Sequence, residues 1–317
     1  MQNESQLKHN HHFLPKLYQK GFIEAEKSPF IWVYERGKSY NPGRKRHHNP
    51  YRRTIKLVGA EKDHYAFMKR DGTIDFDTYE NELEKLERPA DPIFKKLRRQ
   101  EMITDHEKET FASYVYLMYK RVPKRKERFE KNWPNVFQSI SSWMVQWLDF
   151  EEARTDKADV TRLARISKLR SEREQELEYY KENVPINTEI PLKSLVMKSP
   201  LEVPKILSSM TWQFFIAPER YGFITSDDPV FSPDINKPYV EISFPISKDI
   251  ALVMSRYNLK QGFFITTPEV VTEINRRTAG KAQHQVYYSN AEKWIVDLLN
   301  ENREGYYLIY RYSGRLD

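Results

Sequence analysis

The stretch 104–123, TDHEKETFASYVYLMYKRVP, decides how the middle of this 317-residue chain folds. Thr104 and Asp105 form a helix-start signal followed by acids, and Pro123 forbids continuation past Val122. Between them Phe111, Val115 and Met118 recur at helical spacing, with Tyr114, Leu117 and Arg121 beside them. The pattern predicts a helix with one broad apolar face. Arg121 closes that face. An Arg at the end of an apolar stripe points to a carboxylate or phosphate partner, or to the negative end of the helix itself.

Helical texture extends in both directions. Upstream, residues 78–100 read TYENELEKLERPADPIFKKLRRQ, with Tyr79, Leu83 and Leu86 repeating and Pro89 and Pro92 interrupting. Glu80, Glu84 and Glu87 share one face at i, i+4, i+7. Three like charges on a stripe call for solvent, a basic partner or a metal. Downstream, a helix is expected over 124–149, carrying Trp133, Phe137, Ile140, Trp143, Met144, Trp147 and Leu148. Residues 151–183 are dense in charges of both signs and predict an exposed helix or helical hairpin.

Farther out the texture turns to strands. SMTWQFFIAP, YVEISFPIS and IALVMSRY, all beyond residue 200, are short runs of β-branched and aromatic residues. TPEVVTEINRRTAGKAQHQVYYS (267–289) is expected as one helix running into an apolar-aromatic end. At the other end of the chain, PFIWVYERG (29–37) predicts a strand, and Asp71-Gly72 inside HYAFMKRDGTIDF predicts a hairpin. Residues 12–22 predict a short helix or turn, opened near Pro15 and stopped at Gly21. The fold class is therefore α+β: a small N-terminal β element, a helical middle and a mixed β/α C-terminal part. Residues 1–317 are expected as one composite domain, mainly helical over 76–183 and β-rich over 200–317.

Composition narrows the function classes. There is no cysteine, which removes disulfides, thiolate nucleophiles and Cys-bound zinc. No run of about 18 apolar residues marks a membrane span, and the first residues carry no signal-peptide pattern, so a cytoplasmic protein away from the membrane is expected. Ten glycines, with no P-loop, dinucleotide fingerprint, nucleophile elbow or HExxH, argue against nucleotide motors and Rossmann enzymes.

The formal charge of +7 is concentrated in two clusters. Residues 41–56 hold six Lys/Arg and no acid, including Arg44, Lys45, Arg46, Arg52 and Arg53; residues 120–131 hold seven against two Glu, including Lys124 and Arg125. Solvated surface and a phosphate-contacting face are both open readings of these runs.

Other chemistry is carried by scattered residues. His12 in NHHFLPK is a general acid/base or metal-ligand candidate, and its neighbour His11 cannot easily share an ion with it. Asp227 follows a strand in FITSDDPVF, a position where a rigid element can aim an acid.

Taken in order, these pieces resemble the DUF4238 family, a bacterial group named for an unassigned function. The likeness is collinear from about residue 10 to about residue 290. His12 and Pro15 match its His-x-x-Pro opening, Glu80 and Glu87 its glutamate pair, and Arg121 and Pro123 its Arg-x-Pro. Ser226, Asp227 and Pro229 match a Ser-Asp-Asn-Pro turn in which Asp228 replaces the Asn, and Asn275 and Ala282 match a late helix. The insert at 151–183 is less typical of the group. The resemblance implies a shared polar constellation built from distant segments, and a setting among bacterial defence genes.

Three readings of function follow. In the first, the chain is a metal-dependent nuclease or phosphodiesterase in antiphage defence. His12 acts as acid/base or ligand, Glu80, Glu87 and Asp227 hold Mg2+ or Mn2+, and Arg121 stabilises phosphate charge. In the second, it binds nucleic acid or senses without turnover. In the third, Trp133, Trp143 and Trp147 dock a protein partner or a second copy.

Overall fold

The computed structural model describes residues 9–25, 28–41, 49–69, 71–183, 192, 202–233, 240–301 and 309. It is a mixed α/β structure in two compact units. One unit comprises residues 1–65, 76–122 and 195–317; the other comprises 66–75 and 123–194.

The larger unit is built on two four-stranded sheets. Its chain begins with β1 (Asn10–His12) and the single-turn α1 (Lys16–Gln19). β2 (Phe30–Glu35), β3 (Tyr51–Thr54) and β4 (Ala60–Lys62) follow. β1 pairs antiparallel with β4, setting His11 opposite Glu61 and His12 opposite Ala60. The buried Gln19 side chain donates to the carbonyls of Leu14 (2.6 Å) and Val58 (2.9 Å), which fixes the turn after His12. Gly21 stops α1 for a steric reason: a Cβ there would lie 2.6 Å from the Ile246 carbonyl oxygen.

The smaller unit takes the next short hairpin, β5 (Phe67–Met68) and β6 (Ile74–Asp75), with Gly72 in the turn at φ +82°. The chain then re-enters the larger unit through α2 (Thr78–Glu87), α3 (Ala90–Arg98) and α4 (Asp105–Lys120). Pro89 separates the first two, and Pro92 falls in the first turn of α3, where a missing N–H costs nothing. α4 starts on a capping box, in which Thr104 Oγ1 accepts from the Glu107 N–H and Glu107 accepts from the Thr104 N–H. Tyr79 and Leu83 are buried as their spacing demands, whereas Leu86, expected on the same stripe, is 45% exposed where the last turn of α2 runs past the core.

The smaller unit resumes with α5 (Pro123–Arg154) and α6 (Val160–Asn183). The hairpin is formed by α5 with α6 rather than within 151–183, whose residues from Val160 make one helix; the two helices are tied by Arg162 to Glu151 and by Arg170 to Asp149 and Glu152. Leu148 is buried, but Trp143 (64% exposed), Trp147 (43%) and Phe150 (54%) are not, so the apolar stripe of α5 is only partly used. The Trp133 side chain, expected on that stripe, lies outside the described residues.

The last third of the chain completes the larger unit. α7 (Val203–Ser209), β7 (Thr211–Ile216), β8 (Thr225–Ser226), β9 (Glu241–Pro245), β10 (Ile250–Ser255) and β11 (Gly262–Ile265) come in turn. α8 (Pro268–Lys281), β12 (Gln285–Tyr288) and α9 (Lys293–Leu299) follow. One sheet runs β11-β7-β10-β9, antiparallel except for the parallel β11–β7 pair. Both of its faces are covered. Leu252, Met254, Trp212, Phe214 and Phe244 face a core shared with Phe94 and Phe111 of α3 and α4, while Ala251, Val253 and Phe215 face Val270 and Ile274 of α8. That double burial is why IALVM is continuously apolar rather than alternating.

The other sheet runs β3-β2-β12-β8. Its central strand β12 is a correction to the sequence reading, which placed Gln285–Tyr288 at the end of a helix. The helix stops at Lys281, and the next residues pair with both β2 and β8. Gly280 in the last turn of the helix is the one local stop signal, and four residues of strand that follow it so closely are too short to show a period of their own.

Candidate functional site

Four of the five sequence candidates meet around the guanidinium of Arg121. The residue is the C-cap of α4 and is 2% exposed. Its Nη1 donates to the Glu87 carboxylate of α2, its Nη2 to the His12 carbonyl of β1 (2.5 Å), and its Nε to the Tyr65 hydroxyl (3.2 Å). Burial works against the charge, but the Glu87 carboxylate outweighs it, so the guanidinium is held firmly protonated. Every nitrogen of the fork is thereby engaged within the fold.

Glu80 and His12 lie beside this ion pair. Burial pushes the Glu80 carboxyl up to about 7; Glu87 adds to the rise, and Arg121 and the His12 peptide N–H oppose it. Burial lowers His12 to about 4, helped by the charges of Lys16 and Arg121 and opposed by the carbonyls of Ile55 and Lys56. Glu80 Oε2 and His12 Nε2 are buried with no hydrogen-bond partner among the described residues. Near pH 6 the carboxyl is therefore largely protonated and the imidazole neutral. That ordering is inverted relative to the two groups in water. Glu84, on the same predicted face, instead points to solvent and pairs with Arg88 (3.2 Å, both more than 60% exposed).

Asp227 takes another position. One carboxylate oxygen accepts from the N–H of Gln283 (2.8 Å), the other from those of His284 (2.8 Å) and Gln285 (3.0 Å). It clamps the link between α8 and β12, and burial raises its pKa against the pull of these three donors. Nearby, Tyr287 donates to Gln285, whose amide reaches Glu35 and Tyr51. None of the hydrogen bonds among the described residues connects Asp227 to Glu80, Glu87 or His12. Among those residues, no group of three or more His, Asp or Glu side chains is placed to hold a metal ion. Among the described residues, of the three expected metal ligands only Glu80 has a buried oxygen without a hydrogen bond, and His12 Nε2 is likewise buried without one.

The basic candidates are dispersed in role. Arg52 is clamped by Glu24 (2.5 and 2.6 Å) and lies over the Phe30 ring. Arg53 is exposed beside Tyr51. In the smaller unit Lys124 is exposed and Arg125 half-buried. Arg44, Lys45 and Arg46 lie outside the described residues.

The family model described as "Protein of unknown function (DUF4238)" matches residues 10–292. The chain belongs to the DUF4238 family. No curated protein and no solved structure matches it. Several motif positions of this DUF4238 protein are clamps on the backbone. Asn275 accepts from the Ile224 N–H (3.0 Å) and donates to the Gly222 carbonyl (2.8 Å), which pins the approach to β8. The Ala282 and Ala279 carbonyls at the end of α8 accept from Arg36, which also reaches the Leu299 carbonyl of α9.

Two residues of the Arg121 cluster escape sequence reasoning. Tyr65, pushed up to about 12 by burial, supplies the hydroxyl that meets Arg121. His11 accepts the Tyr65 N–H through Nδ1 (2.8 Å) and stacks on its ring. Neither carries a spacing signal; strand pairing of β1 with β4 brings them together. The adjacent imidazoles thus separate in role, His11 supporting the local backbone and His12 facing the carbonyls of Ile55 and Lys56, while Glu80 meets the His12 peptide N–H.

Proposed function

We propose that this DUF4238 protein is a hydrolase of phosphodiesters in nucleic acid or nucleotides, acting in the antiphage setting that its family resemblance suggests. The observation that carries the catalytic part is the inversion of two groups at the Arg121 cluster: the buried Glu80 carboxyl, which accepts from the His12 peptide N–H and is held near 7, and the buried His12 imidazole, held near 4, each with a polar atom that has no hydrogen-bond partner among the described residues. Buried polar atoms without partners are costly, and active sites are where such cost is retained. In this reading Glu80 is the general acid and His12 the general base, the two groups having been pushed apart by their surroundings. Glu87 and Arg121 are positioning residues, because the guanidinium is spent on Glu87, Tyr65 and the His12 carbonyl rather than open to a phosphate. The positive formal charge supports the polyanionic substrate.

Cleavage of single- and double-stranded RNA and DNA and of a chromogenic phosphodiester, assayed with and without EDTA, tests the reading. Both the Glu80→Gln and His12→Gln variants should lose about a hundredfold or more in rate. The kcat/KM profile should be bell-shaped, with its limbs near 4, where His12 gains a proton, and near 7, where Glu80 loses one. Equal rates for wild type and Glu80→Gln overturn the assignment. Loss of activity in EDTA, restored by Mg2+ or Mn2+, would place a metal on Glu80 and His12 and return them to the ligand roles expected from the sequence. A second reading, docking of a protein partner, is favoured by the exposed Trp143, Trp147 and Phe150 of α5.

A further inference from the structure

The larger unit contains a cleft of about 490 Å³ that shares no residue with the Arg121 cluster. Lys20, Ile23, Ser28, Pro29, Ile55, Lys95, Arg98 and Arg99 line it. Four of these are cations and none is an acid. Lys20 comes from the end of α1, and Lys95, Arg98 and Arg99 from the end of α3.

The negative end of α3 accounts for Lys and Arg in its own last turn. It does not account for Lys20, brought in from a separate element, nor for the state of Arg98. This largely buried guanidinium donates through Nη2 to the Leu17 and Tyr18 carbonyls (3.2 Å each) and stacks over the Phe94 ring, while its Nε is buried without a partner. Burial depresses its pKa, and no carboxylate pairs with it among the described residues. The nearest acids are committed elsewhere: Asp91 to Lys95 (2.6 Å), Glu101 to Arg99 (2.6 Å), and Glu24 to Arg52 and Ser28. With Lys95 and Arg99 already paired, the charges that an anion in the cleft would meet are those of Lys20 and Arg98, and it would relieve their mutual repulsion.

The remaining walls say what the anion is attached to. Ile23, Pro29 and Ile55 form an apolar side, and the volume is within the range of small-molecule sites. We propose that this cleft binds a nucleoside polyphosphate, its phosphates on Lys20 and Arg98 and its base against Ile23, Pro29 and Ile55. The cleft does not depend on the catalytic reading. Ile55 joins the two places, since its carbonyl faces the His12 imidazole and its side chain lines the cleft.

Isothermal titration calorimetry with ATP, GTP, pyrophosphate, adenosine and a short single-stranded oligonucleotide tests the proposal. ATP or GTP should bind more tightly than pyrophosphate or adenosine, and more weakly as salt rises. The charge reversals Lys20→Glu and Lys95→Glu sit on exposed side chains and leave the core intact. Each should weaken ATP binding by at least about tenfold, while Lys157→Glu in the smaller unit leaves it unchanged. Glu80→Gln should bind ATP normally even where it abolishes cleavage, so failure of the cleft and failure of the catalytic pair are told apart. No ATP or GTP binding, pyrophosphate binding as tight as ATP, oligonucleotide binding without nucleotide binding, or full affinity in both lysine variants would each overturn it.

Discussion

The Glu80–His12 pair makes a prediction about stability that is independent of any activity. Glu80 is raised from an ordinary 4.5 to about 7, so between those values the folded state holds a proton that the unfolded state has released. Its contribution therefore falls as pH rises through that window. His12 is lowered from 6.5 to about 4, so the unfolded state takes up a proton that the folded state refuses, and its contribution rises with pH over 4 to 6.5. The two slopes oppose each other between about 4.5 and 6.5, and the wild type should change little there on their account. Urea denaturation across this range should show Glu80→Gln gaining stability with pH and His12→Gln losing it. Parallel slopes in the two variants would contradict the inverted pair. Part of this site was legible in the sequence: an ion pair was one of the partners left open for an Arg closing an apolar helix face and for glutamates on one stripe, and Arg121 with Glu87 is that pair. The burial that inverts Glu80 and His12 was not, because desolvation depends on what covers a group rather than on its neighbours in the chain.

Helix boundaries follow from side-chain chemistry at single positions. The Thr104–Glu107 box satisfies donors at the start of α4 that would otherwise have no partner. Thr104→Ala should lower stability by about 1 kcal/mol with unchanged kcat, measured by urea unfolding and steady-state assay. A larger loss, or a change in rate, would mean that Thr104 does more than cap. α2, α3, α4 and α5 were readable for this reason: caps, prolines and apolar spacing all lie within a few residues of what they specify, whereas the pairing of α5 with α6 was not. β12 was not readable, since its identity as a strand is conferred by β2 and β8 pairing on either side. Asp227 illustrates the same limit. Its place after a strand was visible, but the three peptide N–H groups that occupy it come from some 56 residues later.

Across the larger unit, stability is concentrated in a few buried ionic contacts as well as in the apolar cores. Arg277 of α8 reaches Glu241 of β9 (2.7 Å) and Glu273 one turn back (3.3 Å), and Glu241 also accepts the Ile309 N–H (2.8 Å). All three side chains are no more than 3% exposed. Arg277→Met would take the guanidinium from the buried Glu241 carboxylate, while Glu273 keeps Arg276 (3.3 Å), and should cost about 3–5 kcal/mol in denaturant unfolding. A loss under about 1 kcal/mol would show that the triad relaxes into solvent. The two-sided sheet and helical cover were foreseeable as a fold class, whereas the division into a larger unit and one made of 66–75 and 123–194 leaves no linker-like composition to read.

Arg121 has one consequence beyond its contacts. It terminates the helix whose Phe111, Val115 and Met118 anchor the main core, so the cluster has no hinge or loop between it and the most tightly packed part of the unit. Heating should not silence such an arrangement in advance of melting, as happens where reactive groups sit on a mobile flap; competence and tertiary structure ought to vanish together, at a single temperature.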